Sequence, residues 1–177
     1  MYIRKNNLII RNATSSDAAI LCKWWNDGKV MAHAGFPNGL GTTEGIIIRQ
    51  LLTETDETGR TLIIEVDGMP VGEMSYRNKG NNIAEIGIKI CDFSKQEKGY
   101  GKRFLSMLIN VLFKDLGYKK IVLDTNLNNH RAQHVYEKLG FRKRGVNENA
   151  WKDQLGNYQS FVDYELEEKD FINYSEK

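Results

Sequence analysis

The sequence predicts an α/β fold, a mixed, mostly antiparallel twisted sheet with helices on both faces. Three observations carry that expectation. Between Thr61 and Ile90 lie three short β-rich runs, TLIIEV, VGEMSY and IAEIGIKI, separated by the turn-forming stretches DGMP and NKGNN, the pattern of three antiparallel strands. Beyond them, two amphipathic helical stretches flank the apolar run IVLDT, so the later connections are helical crossovers that cover the sheet. A chain of 177 residues with 41% hydrophobic content suffices for one substantial core and is too short for two ordinary domains, so residues 1–177 are expected to form a single domain.

Taken in order, Leu8 to Arg11 reads as a short strand, and TSSD at residues 14–17 offers a capping box ahead of the apolar-periodic run Ala18 to Trp25. FPNGLGTTEG is loop chemistry, and Thr43 to Leu52 carries a second helical pattern. After the three strands, Phe104, Leu108, Val111 and Leu112 share one helical face, with Gly117 placed to end the helix. IVLDT follows as a buried strand, NNHRAQHVYEKLG as a helix closed by Gly140, and two last strands flank the turn DQLGN. The predicted order is β-α-α-β-β-β-α-β-α-β-β. Only the polar tail from about residue 167 looks expendable.

Composition excludes several classes. A net charge of +2 without a basic stripe gives no footprint for nucleic acid. No apolar run reaches membrane-span length, and the charged start MYIRKNNLIIRN lacks a signal-peptide core, so a cytoplasmic address is expected. Cys22 and Cys91 form no disulfide framework and read as small buried hydrophobes. His130 and His134 lie one helical turn apart, but the Glu of H-E-x-x-H and a third ligand are absent, so no metal is expected.

The chemistry-bearing stretch is QEKGYGKRF, residues 96–104, at a strand-to-helix junction. Glycines let a backbone approach a ligand closely, and a helix N-terminus carries unpaired N–H groups that favour anions. A Walker-type loop would need Ser or Thr after Lys102, where Arg103 stands, and a dinucleotide fingerprint would need a third small residue, which is absent. Q-x-x-G-x-G, read as Gln96, Gly99 and Gly101, instead resembles the signature of the GNAT superfamily of acetyl-CoA-dependent N-acetyltransferases. AEIGIKI upstream and NNHRAQHVYEKLGF downstream are similar to that family's flanking segments, and the resemblance covers about residues 8–166. The opening LIIRNATSSDAAILCKWWND looks like the branch containing ribosomal-protein N-terminal and aminoglycoside acetyltransferases. The bland alternative is a turn in which Gly99 and Gly101 only relieve backbone strain.

The resemblance implies acetyl-CoA as co-substrate, lying in a cleft where two parallel strands splay, residues 84–91 and IVLDT. Backbone groups near Ile88 and Ile90 would hold the pantetheine arm, in a strand the family leads one to expect bulged. N–H groups from Gln96 to Lys102, spanning Gly99, Tyr100 and Gly101, would hold the pyrophosphate, with Lys98 or Lys102 adding charge. Asn129 would bind the cofactor arm and Arg131 a phosphate, their alternatives being an N-cap and a solvated first-turn residue. Glu85 is implied as general base, against a solvated strand carboxylate paired with a neighbour. Tyr136 is implied as the group that protonates the leaving sulfur, against a core tyrosine.

Trp24, Trp25, Asn26 and Phe36 fall where this family often builds its acceptor pocket, and Glu44, Glu54, Asp56 and Glu57 could make its entrance acidic or form a solvated face. The acceptor is expected to be a small-molecule amine such as a polyamine or aminoglycoside, or a peptide or protein N-terminus. The rival from another class is a non-catalytic acyl-CoA-binding or sensing module. A monomer and a homodimer are equally compatible with the sequence.

Overall fold

The structure, a computed structural model, describes residues 1–175. Its strands and helices are β1 (Tyr2–Lys5), β2 (Leu8–Asn12), α1 (Ala18–Trp25), α2 (Gly28–Met31), α3 (Glu44–Thr53), β3 (Gly59–Val66), β4 (Met69–Asn78) and β5 (Ile83–Ile90), then α4 (Tyr100–Lys114), β6 (Lys120–Asn126), α5 (His130–Lys138), β7 (Arg142–Lys152) and β8 (Tyr158–Glu167). The strands form one eight-stranded sheet in the order β1-β2-β3-β4-β5-β6-β8-β7. Every neighbouring pair is antiparallel except β5 and β6. Among the described residues no helix is long and apolar enough to cross a membrane.

Alternation of side chains along each strand sorts the sheet into two faces. Leu62, Ile64, Met74, Ala84, Ile86, Ile121, Leu123 and Val162 turn to one face and pack with Phe104, Leu105, Leu108 and Leu112 of α4 and Tyr136 of α5. Each of these large side chains gains roughly 1.5–3 kcal/mol from leaving water. Ile63 turns to the opposite face, where α1 and α3 cover it with Leu21, Trp24, Ile47 and Leu51. Helices therefore lie on both faces, as the sequence predicts.

Several expectations are corrected. A strand precedes Leu8, because Tyr2–Lys5 folds back on Leu8–Arg11 in a hairpin too short and too exposed to announce itself by pattern. Part of the expected loop after Trp25 is the short helix α2, started by Asp27, whose side chain accepts from the Lys29 N–H. The glycine-bearing segment is partly helical already, since α4 begins at Tyr100 and not near Phe104. No bulge interrupts β5: its register with β4 runs unbroken from Asn78↔Ala84 to Gly72↔Ile90, and the register irregularities lie between β3 and β4 and between β7 and β8 instead. The chain beyond residue 167 packs on the domain: Ile172 N–H donates to Leu139 O, Tyr174 N–H donates to Ser106 Oγ, and Ser175 is buried.

Candidate functional site

The parallel strands β5 and β6 pair at only three positions, Ile83↔Lys120, Ala84↔Ile121 and Glu85↔Val122, and then part. Ile83 O accepts from Lys79 N–H and Cys91 N–H donates to Val71 O, so odd-numbered residues of β5 direct their backbone groups to β4. Even-numbered residues therefore direct theirs to the side that β6 has left. Ile86 and Ile88 thus offer backbone donors and acceptors to a cleft. Ile90 O also faces that way but already accepts from Gln96 Nε2 at 2.8 Å.

The cleft leads to the start of α4. Gly99 is the N-cap residue at φ 78°, a conformation that side-chain-bearing residues rarely adopt, and no side chain caps the helix. By contrast Thr43 caps α3 and Asn129 caps α5. A Cβ at Gly101 would meet nothing within 4 Å, so its lack of a side chain is not explained by packing. A 15-residue helix with its first N–H groups left to an outside acceptor and a smooth approach at Gly101 fits a phosphate-bearing ligand. Gln96 and Arg131 shape this loop: Arg131 donates to Gln96 Oε1 at 3.1 Å and to Glu97 Oε1 at 3.2 Å. Lys98 is exposed at the rim, whereas Lys102 Nζ lies 3.9 Å from the Tyr174 ring centroid, turned toward the chain end. Tyr100 is half-buried against the core.

Tyr136 is 7% exposed, between Phe141 and Tyr164 at ring-centroid distances of 5.9 Å each. Its hydroxyl has no hydrogen-bond partner among the described residues. Burial, helped by the negative charge of Asp124, pushes its pKa up to about 12, so the phenol keeps its proton at neutral pH. Glu85 sits at the last paired position before the strands part, half-exposed, with Lys79 Nζ 3.5 Å away. Asn129 Oδ1 accepts from Ala132 N–H, so its side chain is an N-cap.

The acceptor-side residues divide. Trp24 is buried in the core under α1 and α3, and Asn26 exchanges hydrogen bonds at 2.9 Å with both backbone groups of Thr42 to close the loop; neither is free for a ligand. Trp25 and Phe36 are half-buried along that loop. Glu54 accepts from Arg77 and Thr61, and Asp56 pairs with Arg60 at 2.7 Å, so these carboxylates serve the scaffold. Cys91 is buried, and its thiol is pushed up to about 12 by that burial and by Glu73, which leaves no thiolate for nucleophilic work.

Sequence reasoning missed two groups. Asp124 lies on β6 on the same sheet face as Glu85, directly opposite Asp163 of β8. Its side chain is exposed, yet the surrounding protein displaces part of its water, and with Glu85 and Asp163 as like-charged neighbours its pKa is raised from the ordinary Asp value. An Asp following the apolar run Ile121–Leu123 inside a strand is disfavoured there and is the signal that could have found it. Gln154, in the β7–β8 turn, holds the loop after α2: its N–H donates to Gly35 O, its Oε1 accepts from Asn38 N–H, and its Nε2 donates to Gly39 O. A Cβ at Gly35 would fall 2.1 Å from Trp151 Cη2, so this indole needs the glycine.

Comparison with known proteins agrees with this geometry. The family model described as acetyltransferase (GNAT) domain matches residues 7–142. An aminoglycoside N(6')-acetyltransferase type 1 of Klebsiella pneumoniae is 26% identical over 154 residues, covering 80% of this chain and 77% of that protein. Among solved structures, a spermidine N-acetyltransferase from Vibrio cholerae in complex with CoA and spermine superposes with a TM-score of 0.82 at 20% identity, covering 96% of this chain and all of that one. A ribosomal L7/L12 alpha-N-protein acetyltransferase in complex with coenzyme A superposes at 0.81 with 19% identity, covering 94% and 98%. With an open strand pair, an uncapped helix start and a family match over most of its length, the chain belongs to the GNAT acetyltransferases, N-acetyltransferases whose acyl donor is acetyl-CoA.

Proposed function

We propose that the protein transfers the acetyl group of acetyl-CoA to a primary amine by direct attack in a ternary complex. The observation that carries this reading is the parting of β5 from β6, which opens a backbone-lined channel, and Tyr136, packed in the same core cluster as Ile86 and Leu123, is proposed as the proton-holding phenol beside it. The α4 N-terminus and Gly101 would receive the pyrophosphate, and Ile88 the pantetheine amides. An N–H at the parted strand would stabilise the oxyanion that forms on the thioester carbonyl.

The proton steps follow from ordinary acidities. An alkyl ammonium, with a pKa of about 10, must lose a proton before its nitrogen can attack, and the departing thiolate has a parent pKa of about 8.5. Tyr136 is proposed to give its proton to the leaving sulfur, which its protonated state at neutral pH supports. Removal of the ammonium proton is proposed for the Glu85–Asp124 carboxylates, directly or through water. The raised proton affinity of Asp124 is the direction a base working near neutrality needs. Relatives named for aminoglycosides, spermidine and a ribosomal protein support an amine acceptor in general.

The test is acetyl-CoA-dependent release of free thiol across a panel of polyamines, aminoglycosides and peptides. Tyr136→Phe is expected to lower kcat by roughly 10²-fold or more while acetyl-CoA still binds. Unchanged turnover would remove Tyr136 from the chemistry. Binding of acetyl-CoA without transfer to any amine would favour a non-catalytic acyl-CoA-binding module.

A further inference from the structure

The segment after β8 runs back along α4 and is fastened at nearly every step. A Cβ at Gly140 would fall 1.9 Å from Asp170 O, so the chain passes close against that glycine. The Phe171 ring lies 6.1 Å from the ring of Phe113, in the last turn of α4, and Ile172 N–H donates to Leu139 O. Tyr174 N–H then donates to Ser106 Oγ at 3.0 Å, and Lys5 Nζ donates to Ser175 Oγ at 2.9 Å. The path therefore leads from the end of α4 to its first two turns.

Ser106 is the sequence signal for this docking. It is 0% exposed inside the apolar run FLSMLI of α4, and a buried hydroxyl is costly without a partner, which the Tyr174 N–H supplies. Lys102 stands one helical turn before Ser106, on the same face of α4. Its Nζ lies 3.9 Å from the centroid of the Tyr174 ring. Tyr174 thus holds α4 at two points, Ser106 by its backbone and Lys102 by its ring. An aromatic ring orients an ammonium without cancelling its charge. Arg131, by contrast, is partly neutralised by Glu97 at 3.2 Å, and Lys98 is exposed with no ring beside it among the described residues.

We propose that Tyr174 is a positioning residue for donor binding: it holds the Lys102 ammonium, still fully charged, so that it meets a phosphate of acetyl-CoA at the start of α4. A free lysine side chain samples many rotamers, and ordering it before the ligand arrives lowers the entropy cost of binding. The segment after β8 thereby belongs to the donor side, and Lys102, not Lys98, is the lysine whose charge the donor uses. The proposal rests on the reading above that the α4 start receives the pyrophosphate.

The experiment is a double-mutant cycle read by calorimetric titration with CoA, with a melting curve for each variant. Lys102→Met is expected to raise the Kd for CoA roughly tenfold, the loss of one charge-assisted contact. Tyr174→Leu keeps the backbone bond to Ser106 and an apolar side chain, and is expected to raise Kd about fivefold. Tyr174→Phe keeps the ring and should stay within about twofold of the parent protein. In the Lys102→Met background, Tyr174→Leu should change Kd by less than about twofold, since its effect runs through the missing charge. A structural contact would act whether or not that charge is present. The same loss in both backgrounds, an equal loss with Tyr174→Phe, or no loss therefore overturns the positioning role. Tighter binding by Tyr174→Leu also overturns it, because the ring would then be holding Lys102 away from the phosphate. Failure of the parent protein to bind CoA would instead sink the pyrophosphate reading, and this inference with it.

Discussion

At Asp124, an exposed residue, loss of part of its water to the surrounding protein and the charges of Glu85 and Asp163 all favour the neutral carboxyl, so its pKa in the folded chain lies above its unfolded value. Between those two values the native state binds the extra proton, and stability falls as pH rises through that interval. Above it the full penalty of the ionised Asp124 is present; well below the ordinary Asp value of about 3.9 it is absent. Asp124→Asn is therefore expected to raise Tm near neutral pH, with the gain shrinking in acid, while acetyl transfer falls. Thermal unfolding of both proteins across a pH series checks this, and an unchanged or lowered Tm at neutrality would contradict it. Such a trade, stability given up for a charged site, is common where a carboxylate is kept for chemistry. Glu85 and Tyr136 could be named from local motif context alone. Asp124 and Asp163 could not, because their juxtaposition depends on which strands become neighbours: β8 inserts between β6 and the later β7, an arrangement between segments about 40 residues apart in the chain.

Among the elements, the loop and first turn of α4 decide between a ligand cradle and a mere turn. Gly99 is required by its positive φ whichever reading holds, whereas Gly101 has a helical conformation and open space where a Cβ would go. Valine is a better helix former than glycine by a few tenths of a kcal/mol. Gly101→Val is accordingly expected to leave Tm unchanged or slightly raised, yet to weaken CoA binding by roughly tenfold or more, about 1.4 kcal/mol. Calorimetric titration with CoA beside a melting curve separates the two effects; undiminished affinity would return the glycine to a purely structural role. The same element shows how periodicity misplaces a boundary. The apolar stripe of α4 starts at Phe104, but the helix starts at Tyr100, because a first turn needs no apolar face and its N–H groups need no intrahelical partner. The chain end misled for the opposite reason: among polar residues, Phe171 and Tyr174 pack on the core and Ile172 N–H hydrogen-bonds to Leu139 O, a contact that no local pattern announces.

Across the whole molecule, the two sides of the cleft are built differently. The donor side rests on β5 and α4, which are continuous with the main core. The proposed acceptor side is a loop, residues 32–43, in which Leu40 N–H donates to Trp25 O and the adjacent Asn38 and Gly39 are tied to the β7–β8 turn by Gln154. That tie joins positions 116 and 115 residues apart, so no local spacing could have revealed it. Composition and motif consequently pointed to the donor more sharply than to the acceptor: the proposed donor cradle is one contiguous stretch, and the proposed acceptor wall is assembled from both halves of the chain. Gln154→Ala removes the two side-chain bonds and keeps the backbone bond to Gly35, at a net cost of about 1–2 kcal/mol in holding the loop. If the loop shapes the acceptor site, the amine KM should rise roughly 5–30-fold, the factor that such a cost corresponds to, while acetyl-CoA affinity stays as it was. Steady-state kinetics with the amine varied, alongside CoA titration, reads the two sides separately. An equal loss on both would mean that Gln154 braces the whole cleft. A rise confined to the amine would show that the hairpin and the loop act together as the acceptor wall, rigid enough to orient the amine and separate enough from β5 and α4 to vary without disturbing the donor.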